Sequence, residues 1–124
     1  MEIFIKTGGL YNIALVIFHL LFWQIFNWAE DLRSLSFLNR AIMQALNLSL
    51  VFVFMMFAYV SLIHTAELLS TTLGRSLLLS IAVFFFLRAI LQIVFFRLLH
   101  WGSVAFLIFF LAGGMLYGIP AISA

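Results

Sequence analysis

Four long apolar runs decide what this chain can fold into: about Leu10–Trp28, Ala41–Ile63, Leu77–Phe96 and Trp101–Ile122. Each approaches or exceeds the roughly 20 residues that a helix needs to cross the hydrocarbon core of a bilayer. In lipid, only helices and closed barrels satisfy their own backbone hydrogen bonds, and these runs lack the alternation of barrel strands. The expected fold is therefore all-α and integral to a membrane, a single four-helix transmembrane domain over residues 1–124. Composition agrees: 8% of the residues are charged and 67% hydrophobic, whereas a soluble domain carries about 25% charged residues.

The connections are short. Ala29–Arg40 carries Glu30, Asp31, Arg33 and Arg40; His64–Ser76 carries Glu67, Gly74 and Arg75; the last is Arg97–His100. Short links make consecutive helices antiparallel neighbours, so an up-down antiparallel bundle with both termini on one side is expected. The face holding the first and third connections is called side B. Trp28 and Trp101 fall there, as an interfacial aromatic belt requires. Arg33, Arg40 and Arg97 on side B, against Lys6 and Arg75 opposite, favour side B as cytoplasmic and the termini as outside. No Gly or Pro interrupts Leu35–Leu73, so the second helix is expected to extend past the membrane. Met1–Gly9 has one Lys, and no cleavable small-residue site follows the first apolar run. That run is read as a spanning helix rather than a signal peptide.

There are no cysteines, which removes disulfides, thiolate metal sites and thiol nucleophiles. A net charge of +2 without a basic run gives no footing for nucleic acid. The Phe-rich stretches Phe84-Phe85-Phe86 and Phe109-Phe110 are read as packing or lipid-facing residues.

Within the runs there is no Asp or Glu, yet Arg88 lies inside the third. A charge at that depth costs about 2.5–3.5 kcal/mol on insertion scales. Counting from the helix ends on side B, Arg88 and His19 lie roughly 13 Å deep, Asn47 roughly 10 Å, and Gln44 and Gln92 roughly 6–8 Å. Residues three or four apart share a helix face. Arg40, Gln44 and Asn47 form one such stripe, Arg88 and Gln92 a second, and His19, Trp23 and Asn27 a third. Polar residues in membrane helices face the bundle interior or a wet cavity. A polar pocket opening toward side B is therefore expected, lined by His19, Gln44, Asn47, Arg88 and Gln92. The plainer alternative is that the amides and His19 are interhelical hydrogen-bonding groups, worth about 0.6 kcal/mol on average.

His19, His64 and His100 sit at different depths, so they do not suit two axial ligands of one haem. No spanning carboxylate completes a metal site, and no metal or cofactor is expected. In the fourth run, Gly114 and Gly118 form a Gly-xxx-Gly pair that allows close helix approach, either within the bundle or in a homo-oligomer. Pro120 is expected to end or bend that helix.

The layout resembles the membrane-associated proteins of eicosanoid and glutathione metabolism through Arg40-Ala41, Asn47 and Arg88, over about a third of the chain. The acidic residue of that family after the second-helix Asn is absent from Asn47-Leu48-Ser49-Leu50. The family's His and Tyr after the third-helix Arg are Leu91 and Phe95 here. The resemblance implies a trimer whose arginines hold an anionic thiol or lipid.

The leading expectation is an accessory, non-enzymatic protein that binds an anionic lipid or small amphiphile around Arg88 among membrane lipids. A guanidinium matches the planar acceptors of such an anion. The alternatives are a membrane enzyme on a lipophilic substrate, with His19 or Arg88 at the reaction centre, an oligomeric channel or transporter, and a purely structural subunit.

Overall fold

The computed structural model of the chain describes residues 1–98 and 100–123. Those residues are helical apart from short links, with four helices long and apolar enough to cross a membrane. These are α1 (Glu2–Leu20), α4 (Phe37–Ile63), α6 (Thr72–Phe96) and α7 (Trp101–Ser123). Between α1 and α4 run two single-turn helices, α2 (Phe22–Ile25) and α3 (Trp28–Asp31), followed by a 3₁₀ turn at Leu32–Ser34. A short α5 (Thr65–Ser70) links α4 to α6. The third connection includes residue 99, which lies outside the described residues.

Large apolar side chains cover the outside. Phe37 is 77% exposed, Phe95 74% and Ile108 62%. An aqueous surface of this kind would aggregate, whereas hydrocarbon solvates it at no cost. The interior is built from aromatic rings. Phe85 is fully buried, stacks near Phe54 and Tyr117, and meets the ring of Tyr11 edge-on at 5.2 Å. The Phe-rich stretches are divided between this core, which takes Phe85 and Phe110, and its half-buried margin at Phe84, Phe86 and Phe109.

The first span begins and ends earlier than its hydropathy implies, over Glu2–Leu20 instead of Leu10–Trp28. Two causes are visible. Gly8 and Gly9 lie inside the helix, where side chains of Tyr117 and Leu62 occupy the space a Cβ would take. Tertiary packing thus overrides their low helix propensity. At the other end, the chain turns at Leu21 and again at Asn27, whose φ of 51° is left-handed, a conformation that asparagine tolerates better than most residues. The stripe of His19, Trp23 and Asn27 therefore does not exist as a helix face. A knot of rings from Phe18, Phe22, Phe26, Trp23 and Trp28 stands there instead, with adjacent centroids 4.9–5.3 Å apart.

Ser36 caps α4, accepting from the Asn39 amide at 3.3 Å. The helix then runs unbroken to Ile63 and turns at His64, so the Gly- and Pro-free stretch to Leu73 does not stay one helix. Thr71 joins the next two elements. Its hydroxyl donates to the Glu67 carbonyl at 2.8 Å and accepts from the Gly74 amide at 2.9 Å, capping α6. Thr71→Ala is expected to destabilise the protein by about 1 kcal/mol, with Thr71→Ser retaining most of the stability. Thermal unfolding midpoints in detergent check this, and an unchanged midpoint for the alanine variant contradicts it.

On α7, Gly114 and Gly118 face α6 of the same chain, against Phe86 and Ala82. Of the two uses open to the Gly-xxx-Gly pair, packing inside the bundle is the one these contacts show. Pro120 sits in the last turn without ending the helix, buried beside Ala121. Its missing N–H leaves only the Leu116 carbonyl, four residues back, without its helical donor.

Candidate functional site

The five residues singled out in the sequence fall into two groups, and no hydrogen bond among the described residues joins them. The first links α1, α2 and α4. Asn47 Nδ2 donates to the His19 carbonyl at 3.0 Å. Gln44 Oε1 accepts from Trp23 Nε1 at 3.2 Å, and Gln44 Nε2 donates to the Arg40 carbonyl at 3.3 Å. His19 Nδ1 lies 2.8 Å from the Leu15 carbonyl and must donate to it, since a carbonyl only accepts. The His19 ring is stacked on Phe22 at 4.5 Å and lies against Phe54 at 5.0 Å. Asn47 Oδ1 is buried and has no partner among the described residues. A flipped amide would set Oδ1 against the His19 carbonyl, so the free group is an acceptor.

The second group lies where α6 meets α7. Arg88 Nη1 donates to Gln92 Oε1 at 3.1 Å. Gln92, 2% exposed, donates in turn to Ser103 Oγ at 3.1 Å. The Arg88 guanidinium carbon stands 4.5 Å from the Phe110 ring centre and 5.2 Å from that of Phe96. The structure thus orients Gln92 from α7 so that its carbonyl meets Arg88. Of the three amides expected to line the pocket, only Gln92 accepts a hydrogen bond from Arg88. Gln44 and Asn47 serve the first group. No carboxylate pairs with Arg88 among the described residues; the carboxylate contacts found are the Arg33–Glu30 ion pair and the hydrogen bond between His64 and Glu67, outside the bundle interior.

The other histidines stand at corners. His64 Nδ1 lies 3.1 Å from Glu67 Oε1 between α4 and α5, and His100 Nδ1 accepts from the Gly102 amide at the start of α7.

A third polar cluster escaped sequence reasoning. Asn12, fully buried, donates to the Gly8 carbonyl and to the Tyr117 hydroxyl, both at 2.8 Å. The Tyr117 hydroxyl lies 2.7 Å from Ser61 Oγ, which donates to the Phe57 carbonyl at 2.6 Å. Only one set of directions satisfies all of these. Asn12 donates to Tyr117, Tyr117 to Ser61, and Ser61 to the backbone. The chain of bonds ties α1, α7 and α4 together and leaves Asn12 Oδ1 buried and unpaired. The available signal was the seven-residue spacing of Asn47, Phe54 and Ser61, which puts Ser61 on the buried face of α4. Placing the start of α1 at Leu10 made Asn12 look terminal and hid its depth. Ser103 carried no signal, because its role depends on the pairing of α6 with α7.

The chain matches no protein-family model, and no curated protein and no solved structure matches it. Within the fold, Arg40, Asn47 and Arg88 do not converge. Arg40 lies over the Phe37 ring, while Asn47 and Arg88 belong to separate groups.

Proposed function

We propose that this chain is an accessory, non-enzymatic multi-pass membrane protein that binds an anionic lipid or small amphiphile at Arg88. The observation that carries the reading is the state of its guanidinium. It has five N–H donors and, among the described residues, one neutral acceptor in Gln92, two ring faces and no counter-ion. Each of the two cation–π contacts returns about 0.5–2 kcal/mol, which offsets much of the roughly 2.5–3.5 kcal/mol that an arginine at a helix centre costs on insertion scales but supplies no opposite charge. An oxyanion answers both the charge and the remaining donors. Gln92, anchored by Ser103, orients the group.

An up-down order of the four spans, with both termini on one face, is supported by contacts whose numbers rise in one helix as they fall in the other. Gly8, Tyr11 and Phe18 meet Tyr117, Phe109 and Phe106. Arg88 and Gln92 meet Phe110 and Ser103.

The test is native mass spectrometry of the protein released from detergent, beside its Arg88→Leu variant. A discrete anionic adduct is expected on the wild-type chain, bound about tenfold more weakly by the variant, with helicity unchanged. Equal retention by the variant would sink the proposal and make Arg88 a packing residue of the α6–α7 seam.

A further inference from the structure

The four spans form two helical hairpins that are joined unevenly. α1 with α4, and α6 with α7, pack along their lengths, while the backbones of α4 and α6 scarcely approach each other. Among the described residues, the hydrogen bonds that cross from one hairpin to the other run from Tyr11 to the Phe109 carbonyl, from Asn12 to Tyr117, and between Tyr117 and Ser61. In the up-down order of the spans, these bonds lie between the middle of the bundle and the face of the termini. Close packing follows the same pattern. Gly8 admits the Tyr117 ring, and Gly113 admits the Tyr11 hydroxyl, each in the space a Cβ would take. The side-B half is built differently. Its interhelical hydrogen bonds stay within one hairpin: Gln44 and Asn47 of α4 hold Trp23 and the end of α1, and Gln92 of α6 holds Ser103 of α7. No residue over 37–46 of α4 or 101–109 of α7 is buried. Phe18 meets Phe106 across the gap at 5.6 Å. Acyl chains replace such a ring contact at little loss, because in lipid apolar contact favours no helix pair over the lipid itself.

We infer that the two hairpins are hinged on the Asn12–Tyr117–Ser61 link and part from each other at side B. A hinged movement needs two bodies that stay intact, one end that is held and one that is free. Packing along each hairpin supplies the first, the hydroxyl link and the glycine approaches supply the second, and the unburied ends of α4 and α7 supply the third. The parting reaches the layer of the intramembrane cation. Phe110, whose ring centre lies 4.5 Å from the Arg88 guanidinium carbon, is the first buried residue of α7. Its neighbour Phe106, stacked on it at 6.3 Å, carries the contact to Phe18. Separation of Phe18 from Phe106 therefore opens the bundle toward the side-B leaflet down to the level of Arg88. The movement itself does not depend on an anion at Arg88, so either can fail without the other.

The experiment uses the full chain in phosphatidylcholine vesicles. The sequence has no cysteine, so introduced cysteine pairs take spin labels without background, and double electron–electron resonance reads the distance between them. Leu38→Cys with Val104→Cys reports side B, and Ile63→Cys with Met115→Cys reports the face of the termini. All four positions are exposed, and each pair joins α4 to α7 across the two hairpins. The lever from Tyr117 to Val104 is roughly 20 Å, so a tilt of about 15° adds about 5 Å to the side-B distance. The side-B pair is expected to show a second distance longer by that amount, and the other pair a single narrow one. Tyr117→Phe removes the bonds to Asn12 and Ser61 and is expected to broaden the pair at the face of the termini. Equal widths at the two faces of the unsubstituted bundle, both narrow or both wide, would overturn the hinge. A pair at the face of the termini that stays narrow in Tyr117→Phe would overturn the hydroxyl link as its fixed end.

Discussion

Replacing Tyr117 by alanine is expected to destabilise the folded bundle by about 3–5 kcal/mol, the range for truncating a buried aromatic residue. Tyr117 is fully buried, packs beside Phe85, and occupies the space opposite Gly8 where α1 and α7 meet. Its hydroxyl also links Asn12 to Ser61. Tyr117→Phe separates the two contributions. The ring remains, Ser61 keeps its bond to the Phe57 carbonyl, and one Asn12 donor loses its partner. Interhelical hydrogen bonds in membranes are worth about 0.6 kcal/mol on average and up to about 1.7, so the phenylalanine variant should lose that much. Reversible unfolding of both variants in mixed micelles measures the difference. Equal losses would mean that the hydroxyl network, not ring packing, holds α1, α4 and α7 together. A loss under about 1 kcal/mol for alanine would contradict the central place given to Tyr117.

Gly74→Ala is the second large effect. A Cβ there would lie 2.5 Å from the Glu67 carbonyl oxygen and 2.5 Å from Leu68 Cα. Both are backbone atoms, so no rotamer change relieves the clash, and α5 must move away from α6. Overpacking of this kind costs typically about 1–3 kcal/mol. The expected signs are a lower unfolding midpoint and faster amide exchange across Thr65–Ser70. Gly118→Ala is the control, because its Cβ would sit 3.6 Å from the Ala82 Cβ, an ordinary contact. That variant is expected to be neutral or slightly stabilised, since alanine restricts the unfolded chain. Equal stability of the two variants would show that α5 does not press on Gly74.

Three of the spans lie close to where hydropathy puts them, because the criterion is additive. A helix in lipid needs enough apolar residues and little else, and α4, α6 and α7 meet that condition over 41–63, 77–96 and 101–122. α1 does not follow the rule. Its polar start, with Glu2, Lys6, Gly8 and Gly9, is helical because Tyr117 and Leu62 pack against the glycines, and its apolar end breaks at Leu21 and Asn27. The candidate site divides in the same way. The pair of Arg88 with Gln92 was legible, since the two are four residues apart on one helix. That Gln44 answers Trp23 and that Asn47 answers a backbone carbonyl was not legible, because those partners come from a segment read as straight helix that in fact turns.

Reading the residues alone was enough to show that the chain is helical, that four of its helices are long and apolar enough to span a bilayer, and that Arg88 enters the third without a carboxylate near it in the chain. Those properties depend on composition and on spacings within one helix. It took the packing of the helices to show that Ser103 holds Gln92, that Gly114 and Gly118 face Phe86 and Ala82, and that Asn12, Ser61 and Tyr117 share one chain of hydrogen bonds. Each of these joins residues on different helices. In lipid, where apolar contact favours no helix pair over another, such pairing is set by close packing and by which polar groups find partners.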